Sequence, residues 1–276
     1  MRKTLLTLLL AGSLSPAHSV ENNSDLTQVI TGKHRSSEHK HRDQYRHPQQ
    51  TLDFFDVKSN MTVVEIWPGA DGWFTEILAP YLRNNGKLYT AHFSELIEEP
   101  ELKKEFSSFV SKIHKHPDLY DKLELTVLQP PKQLQIAPEG SADRVLTFLN
   151  IHNWMKNNQA AEVFNAMFKA LKPGGVLGVV EHRNSHLKPQ DPKAASGYVS
   201  EDYVIALARN AGFEFLDKSE VNANGKDTKD YPEGVWTLPP SLLLKEKNKK
   251  KYLAIGESDR MTLKFIKPLP TLTSFL

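Results

Sequence analysis

Short apolar runs rich in β-branched residues alternate along this chain with longer amphipathic stretches, and Pro-Gly-Gly or Ala-Gly stops separate several of them. That alternation is the signature of parallel strands covered by crossover helices, so an α/β domain with a seven-stranded, mostly parallel sheet and helices on both faces is expected. Length agrees, because 276 residues suit one large domain. With 25% charged and 39% hydrophobic residues, neither global disorder nor a polytopic membrane protein fits. The chain has no cysteine, which excludes a disulfide framework, a Cys-ligated metal and a thiol nucleophile.

The N-terminus reads as a secretory signal peptide over 1–19. Arg2 and Lys3 precede an apolar run over 4–14, and Ala17 and Ser19 are the small residues that a signal peptidase accepts. The run is too short to span a bilayer, and without a cysteine there is no lipid-attachment site. An exported chain starting at Val20, most simply periplasmic and with no stable membrane anchor, is the expectation. The formal net charge of +2 equals the contribution of Arg2 and Lys3, so the remaining chain is balanced. Bulk attraction to nucleic acid therefore has no basis, and no nucleic-acid partner is expected.

Residues 20–47 form a polar stretch read as an arm or cap, ahead of a main domain over 48–276. Its His34, His39, His41 and His47 are potential ligands, but the interspersed Lys and Arg repel cations and the spacings match no known site. Leu52, Phe54, Phe55 and Val57 then make a packing segment. Strands are expected at 62–67, 87–92, 123–128, 144–148, 176–181, 214–221 and 261–266. Helices are expected at 73–82, 100–114, 159–171 and 200–211. In the third helix Ala160, Val163, Phe164, Met167, Phe168 and Leu171 recur at helical spacing. In the fourth, Ser200 is placed as N-cap with Glu201 and Asp202 in the first turn. A long excursion over 222–259 precedes the last strand; it is read as a lid, and its lysine run as a solvated loop.

The turn after the first strand carries the most information: Glu65-Ile66-Trp67-Pro68-Gly69-Ala70-Asp71-Gly72-Trp73-Phe74-Thr75. Ligands of open α/β sheets bind at the carboxyl ends of strands, and glycines there admit close backbone approach. No Gly-Lys-Ser/Thr follows, so this is not a phosphate-binding P-loop, and the dinucleotide pattern G-x-G-x-x-G is absent. An acid ending a strand, a glycine turn and a helix resemble motif I of the class I S-adenosylmethionine (SAM)-dependent methyltransferases. Leu171-Lys172-Pro173-Gly174-Gly175 and the run through His182 look like that superfamily's turn and fifth strand. More narrowly, Glu65-Ile-Trp-Pro-Gly, Phe148-Leu-Asn-Ile-His-Asn-Trp, Pro232-Glu-Gly-Val-Trp and Ile255-Gly-Glu-Ser-Asp-Arg resemble an uncharacterised family of predicted exported bacterial methyltransferases. The likeness runs from about Arg42 to Pro268.

The resemblance implies a Rossmann-like sheet with its last strand antiparallel, SAM as cofactor, and methyl transfer to a small, unidentified acceptor. It places Glu65 near the cofactor's ammonium, with Trp67, Gly69, Asp71 and Gly72 in the binding turn. It places His92 where a ribose-binding acid is usual, and Gln129-Pro130 where an acid often meets adenine. Trp67 and Asp71 stand at positions that are usually glycine.

Past strands four and five, Asn150, His152, Asn153, Trp154, Glu181, His182 and Arg183 bring polar groups the fold does not need. His152 is the first candidate for a general base and His182 the second. Asn150 and Trp154 are candidates for cofactor contact, and Tyr198 and Trp236 for substrate or lid contact. Two readings stay open: a SAM-dependent methyltransferase, or a periplasmic binding or accessory protein that keeps the fold. A metal-dependent hydrolase built on His152, His182 and His186 lacks ligand spacing, and no metal ligands are assigned.

Overall fold

The computed structural model describes residues 23–270; the leader and its cleavage site lie outside the described residues. Seven strands form one sheet: β1 Thr62–Ile66, β2 Lys87–His92, β3 Leu123–Val127, β4 Ala142–Phe148, β5 Leu171–His182, β6 Glu214–Ser219 and β7 Arg260–Ile266. Their order is β3-β2-β1-β4-β5-β7-β6. β1 to β5 run parallel, and β7 lies antiparallel between β5 and β6. The seven strands and the reversed last one agree with the sequence expectation.

Eleven α-helices are described: α1 Asn23–Thr31, α2 Ser37–His41, α3 Asp43–Arg46, α4 Pro48–Phe54, α5 Thr75–Leu82, α6 Pro100–Lys115, α7 Pro117–Tyr120, α8 Ile151–Lys156, α9 Ala160–Ala170, α10 Glu201–Asn210 and α11 Lys249–Ile255. On one face of the sheet, Val64, Ile66 and Val145 pack with Trp154, Val163, Phe164 and Met167 of α8 and α9. On the other, Val63 and Leu146 pack with Leu26, Ile30, Leu52, Ile77 and Leu78 of α1, α4 and α5. Burying each such side chain is worth about 1.5–3 kcal/mol, which makes α1 part of the core on the same terms as α5. The polar stretch is thus anchored by its few apolar residues, while Arg35 is buried and forks onto Asp43 with two bonds of 2.8 Å.

Helix α9 ends at Ala170, three residues before Pro173, and Leu171 is already extended and paired with Ala142. The Pro-Gly-Gly stretch therefore belongs to the start of β5, where Gly174 N–H donates to the Lys267 carbonyl at 2.8 Å. Ser200 caps α10 through the Tyr203 N–H, as its position predicted. The 222–259 excursion holds a 3-10 turn, Gly234–Thr237, and α11, and it is tied down at both ends. Asn222 bonds Thr51 and Thr262 at 3.0 Å each, and the Asp227 carboxylate accepts the Asp259 N–H. Among the described residues, no helix is long and apolar enough to cross a membrane.

Candidate active site

Strand β1 delivers Glu65 to the carboxyl edge of the sheet, where it is buried and accepts the Thr75 hydroxyl at 2.7 Å. Burial raises its pKa to about 7, against the Thr75 bond and the charges of Arg46 and Lys112. Two glycines shape the turn that follows. Gly69 has φ 77° and open space where a side chain would stand, whereas at Gly72, φ 52°, a Cβ would lie 2.8 Å from Phe109. Asp71 is exposed, and its carbonyl takes the Lys112 ammonium. Asn150, at the end of β4, pins the turn by donating to the Ile66 carbonyl at 2.9 Å and to Thr147 Oγ1 at 3.3 Å.

At the end of β2, His92 is fully buried among Phe93, Phe106 and Phe109. The Phe93 N–H donates to its Nδ1 at 2.8 Å, which leaves the proton on Nε2, and that atom has no well-aligned partner. Desolvation lowers its pKa to about 4, so the ring is neutral at pH 7. Trp67 continues the aromatic chain, with ring centroids 4.6 Å from Phe93 and 5.8 Å from Trp154. Its own N–H donates to the Leu128 carbonyl at 3.0 Å. Trp154 is wholly buried against Phe164, with an unpartnered indole nitrogen.

The β4–β5 register brings His152 and His182 together, with ring centroids 5.4 Å apart. Between them stands buried Glu181. One of its oxygens accepts the Ile151 N–H at 2.6 Å, and the other the His182 N–H at 2.8 Å. His152 Nδ1 faces that second oxygen at 3.1 Å, so the carboxylate takes its proton as a hydrogen bond and leaves Nε2 with a free lone pair. His182 Nδ1 lies 2.5 Å from Ser258 Oγ, and burial, then the His152, Arg260 and Arg46 charges, hold its pKa well below the ordinary value. Trp236 caps the group at 5.9 Å from His152, and Tyr198 lies 6.5 Å from His182 with its hydroxyl on Asp227 at 2.9 Å. Both lid candidates therefore reach the pair.

The sequence assigned no metal ligands, yet His152, Glu181 and His182 place ligand-type atoms within 4.8 Å of one another. The Glu181 oxygens are already taken by backbone N–H groups, and the neighbouring arginines oppose a cation. His186 is exposed and lines a surface cleft with Arg183 and Glu201, away from this pair. The arm histidines also scatter, with His34 on the Glu76 carbonyl, His39 on the Glu76 carboxylate and His47 on Asn222.

A cluster of three arginines was not foreseen. Arg42, Arg46 and Arg260 converge behind the histidines around one acid, Glu257. Their charges hold the Glu257 pKa down at about 2 despite burial. Glu257 pairs both with Arg260, three residues on, and with Arg42. Only the density of charge in 38–47 and 257–260 could have pointed to the cluster, and nothing in sequence joins the two.

No family model matches this chain, and no curated protein matches it. Solved structures do. A SAM-dependent methyltransferase from Aquifex aeolicus aligns over 89% of this chain and 98% of its own, with TM-score 0.55 and 15% identity. A SAM-dependent methyltransferase from Methanosarcina mazei aligns over 79% and 98%, with TM-score 0.50 and 12% identity. The fold is that of the class I SAM-dependent methyltransferases. A [4+2]-cyclase, SpnF, shares it over 90% of this chain and 93% of its own, with TM-score 0.54 and 14% identity. The methyltransferase fold thus hosts other chemistry, and function rests on the site.

The fit to SAM divides at the β1 turn. The open side of Gly69, the turn's backbone and the start of α5 suit the polar amino-acid end. Farther along, His92 Nε2–H faces the Gly69 backbone without a well-aligned bond, and the Trp154 N–H is a buried donor without a partner, the kind of group a ligand satisfies. Trp67 stands between Phe93 and Trp154.

Proposed function

We propose that this chain is a SAM-dependent methyltransferase acting on a small acceptor seated beside His152 and His182. The observation that carries the reading is the His152–Glu181 pair, buried at the carboxyl ends of β4 and β5 in a methyltransferase fold. When bound, SAM supplies an electrophilic methyl group on a sulfonium. Glu65, the Gly69–Gly72 turn and the α5 N-terminus would hold its amino-acid end, and His92 would donate to a ribose hydroxyl. Glu181 fixes the His152 tautomer, and His152 Nε2 accepts the proton from an acceptor oxygen or nitrogen. Trp236 and Tyr198 cover the pair and exclude water. Aligning acceptor and methyl donor is the larger part of the rate, and this buried geometry supports it. Export through the N-terminal leader to the periplasm belongs to the same reading.

The test is the thermal midpoint of the chain from Val20, with and without excess SAM or S-adenosylhomocysteine. A ligand that binds only the folded state raises it. A dose-dependent rise, lost in Glu65→Ala, supports the reading; a folded protein that does not respond at millimolar ligand rejects it in favour of a binding or accessory role.

A further inference from the structure

The 222–259 excursion and the loop after β5 carry leucines that the core does not take up. Leu187 is 81% exposed, Leu243 55% and Leu253 50%. Between the last two runs Lys245-Glu246-Lys247-Asn248-Lys249-Lys250-Lys251, five cations against one acid. Glu246 is already matched by Lys249 at 2.8 Å. The exposed ammonium groups of Lys245, Lys247 and Lys250 make no hydrogen bond or ion pair among the described residues. The chain past residue 19 is balanced in charge, so this concentration gives the molecule a basic side that its net charge does not show.

Packing of their neighbours holds these residues outward. Tyr252 is buried on α11 and meets Tyr231 at 5.9 Å, and the next residue on a helix turns about 100° away, so Leu253 faces solvent. Positions three and four apart share a helix face, which sets Lys249 and Lys250 beside it. Leu243 is fixed to the cover, its N–H donating to the Trp236 carbonyl at 2.9 Å. The Leu187 loop joins the same side. The Lys188 ammonium donates to the Lys229 carbonyl at 3.0 Å, and Asp230 lies in the fields of both Lys188 and Lys251.

The lysine run, expected from sequence as a solvated loop, is thus flanked by exposed leucine at both ends. Apolar side chains among unpaired cations match the boundary of an anionic bilayer, where leucines enter the acyl region and lysine heads stay at the phosphates. Nucleic acid fits less well, because no aromatic ring alternates with these charges and leucine gains nothing from a phosphate. We propose that this face, Leu187, Leu243 and Leu253 with the Lys245–Lys251 run, docks reversibly on an anionic lipid surface. Such a contact holds far less firmly than a spanning helix, so it is not an anchor. It sets the Trp236 cover, bonded to Leu243, on the membrane side, and it does not depend on the methyltransferase reading.

The test is co-sedimentation of the chain from Val20, which lacks the leader, with vesicles of phosphatidylglycerol and phosphatidylcholine in equal parts, or of phosphatidylcholine alone. Binding is expected on the anionic vesicles, at least about tenfold weaker on the neutral ones, and weaker as salt rises. Lys245→Gln, Lys247→Gln and Lys250→Gln together are expected to weaken it about a hundredfold, at about fivefold for each lysine. Leu187→Ser, Leu243→Ser and Leu253→Ser together keep every charge and are expected to weaken it at least about tenfold. All six side chains are exposed, so thermal midpoints close to wild type are expected and show that the variants fold. Failure to bind anionic vesicles at low salt, equal binding to both kinds, or binding untouched by the leucine changes overturns the proposal. So does binding of a single-stranded oligonucleotide in place of vesicles, or a dimer that the leucine changes dissolve while vesicles stay unbound, since either gives the face to another partner.

Discussion

Trp67 meets Trp154 edge to face, with ring centroids 5.8 Å apart, from a backbone φ of 41°. A bulky residue at positive φ is strained by about 1–3 kcal/mol, and such strain concentrates at functional sites. Trp67→Gly removes both the strain and the ring. The variant is expected to melt lower than wild type, for lack of the packed ring, yet to bind S-adenosylhomocysteine about tenfold more tightly. Calorimetric titration checks this, and weaker binding would show that Trp67 is a wall of the cofactor pocket and not an obstacle in it.

His152→Ala is expected to spare cofactor binding and to lower single-turnover methyl transfer by about 10²–10⁴. Glu181→Gln keeps the shape of the pair but weakens its hold on the His152 tautomer, so a smaller loss is expected. If both variants turn over at the wild-type rate, acid–base help from this pair is absent.

The pKa of Glu65, raised to about 7, sets a pH dependence. Between the unfolded value near 4.5 and 7 the folded chain binds the extra proton, so stability falls as pH rises through that window. The effect is at most about 3 kcal/mol. Glu65→Gln cannot lose a proton, and its urea midpoint is expected to change less than that of wild type from pH 5 to pH 8. A wild-type profile that matches the variant would mean that Glu65 ionises freely in the fold.

Glu257 runs the other way. With a folded pKa of about 2, it stabilises the fold fully above its ordinary value of 4.5, and that contribution is lost as pH falls from 4.5 towards 2. Glu257→Gln leaves three guanidinium groups facing one another, and a loss of about 3–5 kcal/mol at pH 7 is expected from chemical denaturation.

Tyr198→Phe removes the hydroxyl that binds Asp227 at 2.9 and 3.0 Å. Leaving that buried carboxylate short of a donor costs about 1–3 kcal/mol. Limited proteolysis is expected to cut within 222–259 sooner than in wild type; an unchanged cleavage rate would show that the cover is held by its other contacts.

Local signals were legible in the sequence. β-Branched runs placed all seven strands, and the acid–glycine turn and the polar ends of β4 and β5 pointed to Glu65, His152 and His182 as candidates. The tertiary arrangement of these groups was not. Asn150 was a candidate cofactor contact, and nothing in the sequence showed that its amide clamps the β1 turn to β4. Trp154 carried no mark distinguishing a site aromatic from core; it is wholly buried and packs on Phe164, with its indole N–H unpartnered. Helices α2 and α3 are of 5 and 4 residues, too short to show a period, so the N-terminal stretch read as polar arm while Leu26 and Ile30 sank into the core. Glu181 was seen as one polar group among several, because only the β4–β5 register puts it under His152. The arginine cluster joins positions more than 200 residues apart, as the separation of 215 between Arg42 and Glu257 shows. No local pattern encodes that.

That separation also bears on how the protein comes into being. Arg42 is made early, but its partner Glu257 and the adjoining Arg260 arrive with β7, the strand that lies between β5 and β6. Contacts this distant are slow to close, because the loop entropy is spent before any bond is gained. An incomplete chain therefore holds helices and strands but not this cluster. Loss of β7 by truncation or a nick would remove Arg260 and expose the edges of β5 and β6 together, so damaged molecules are marked by sticky strands.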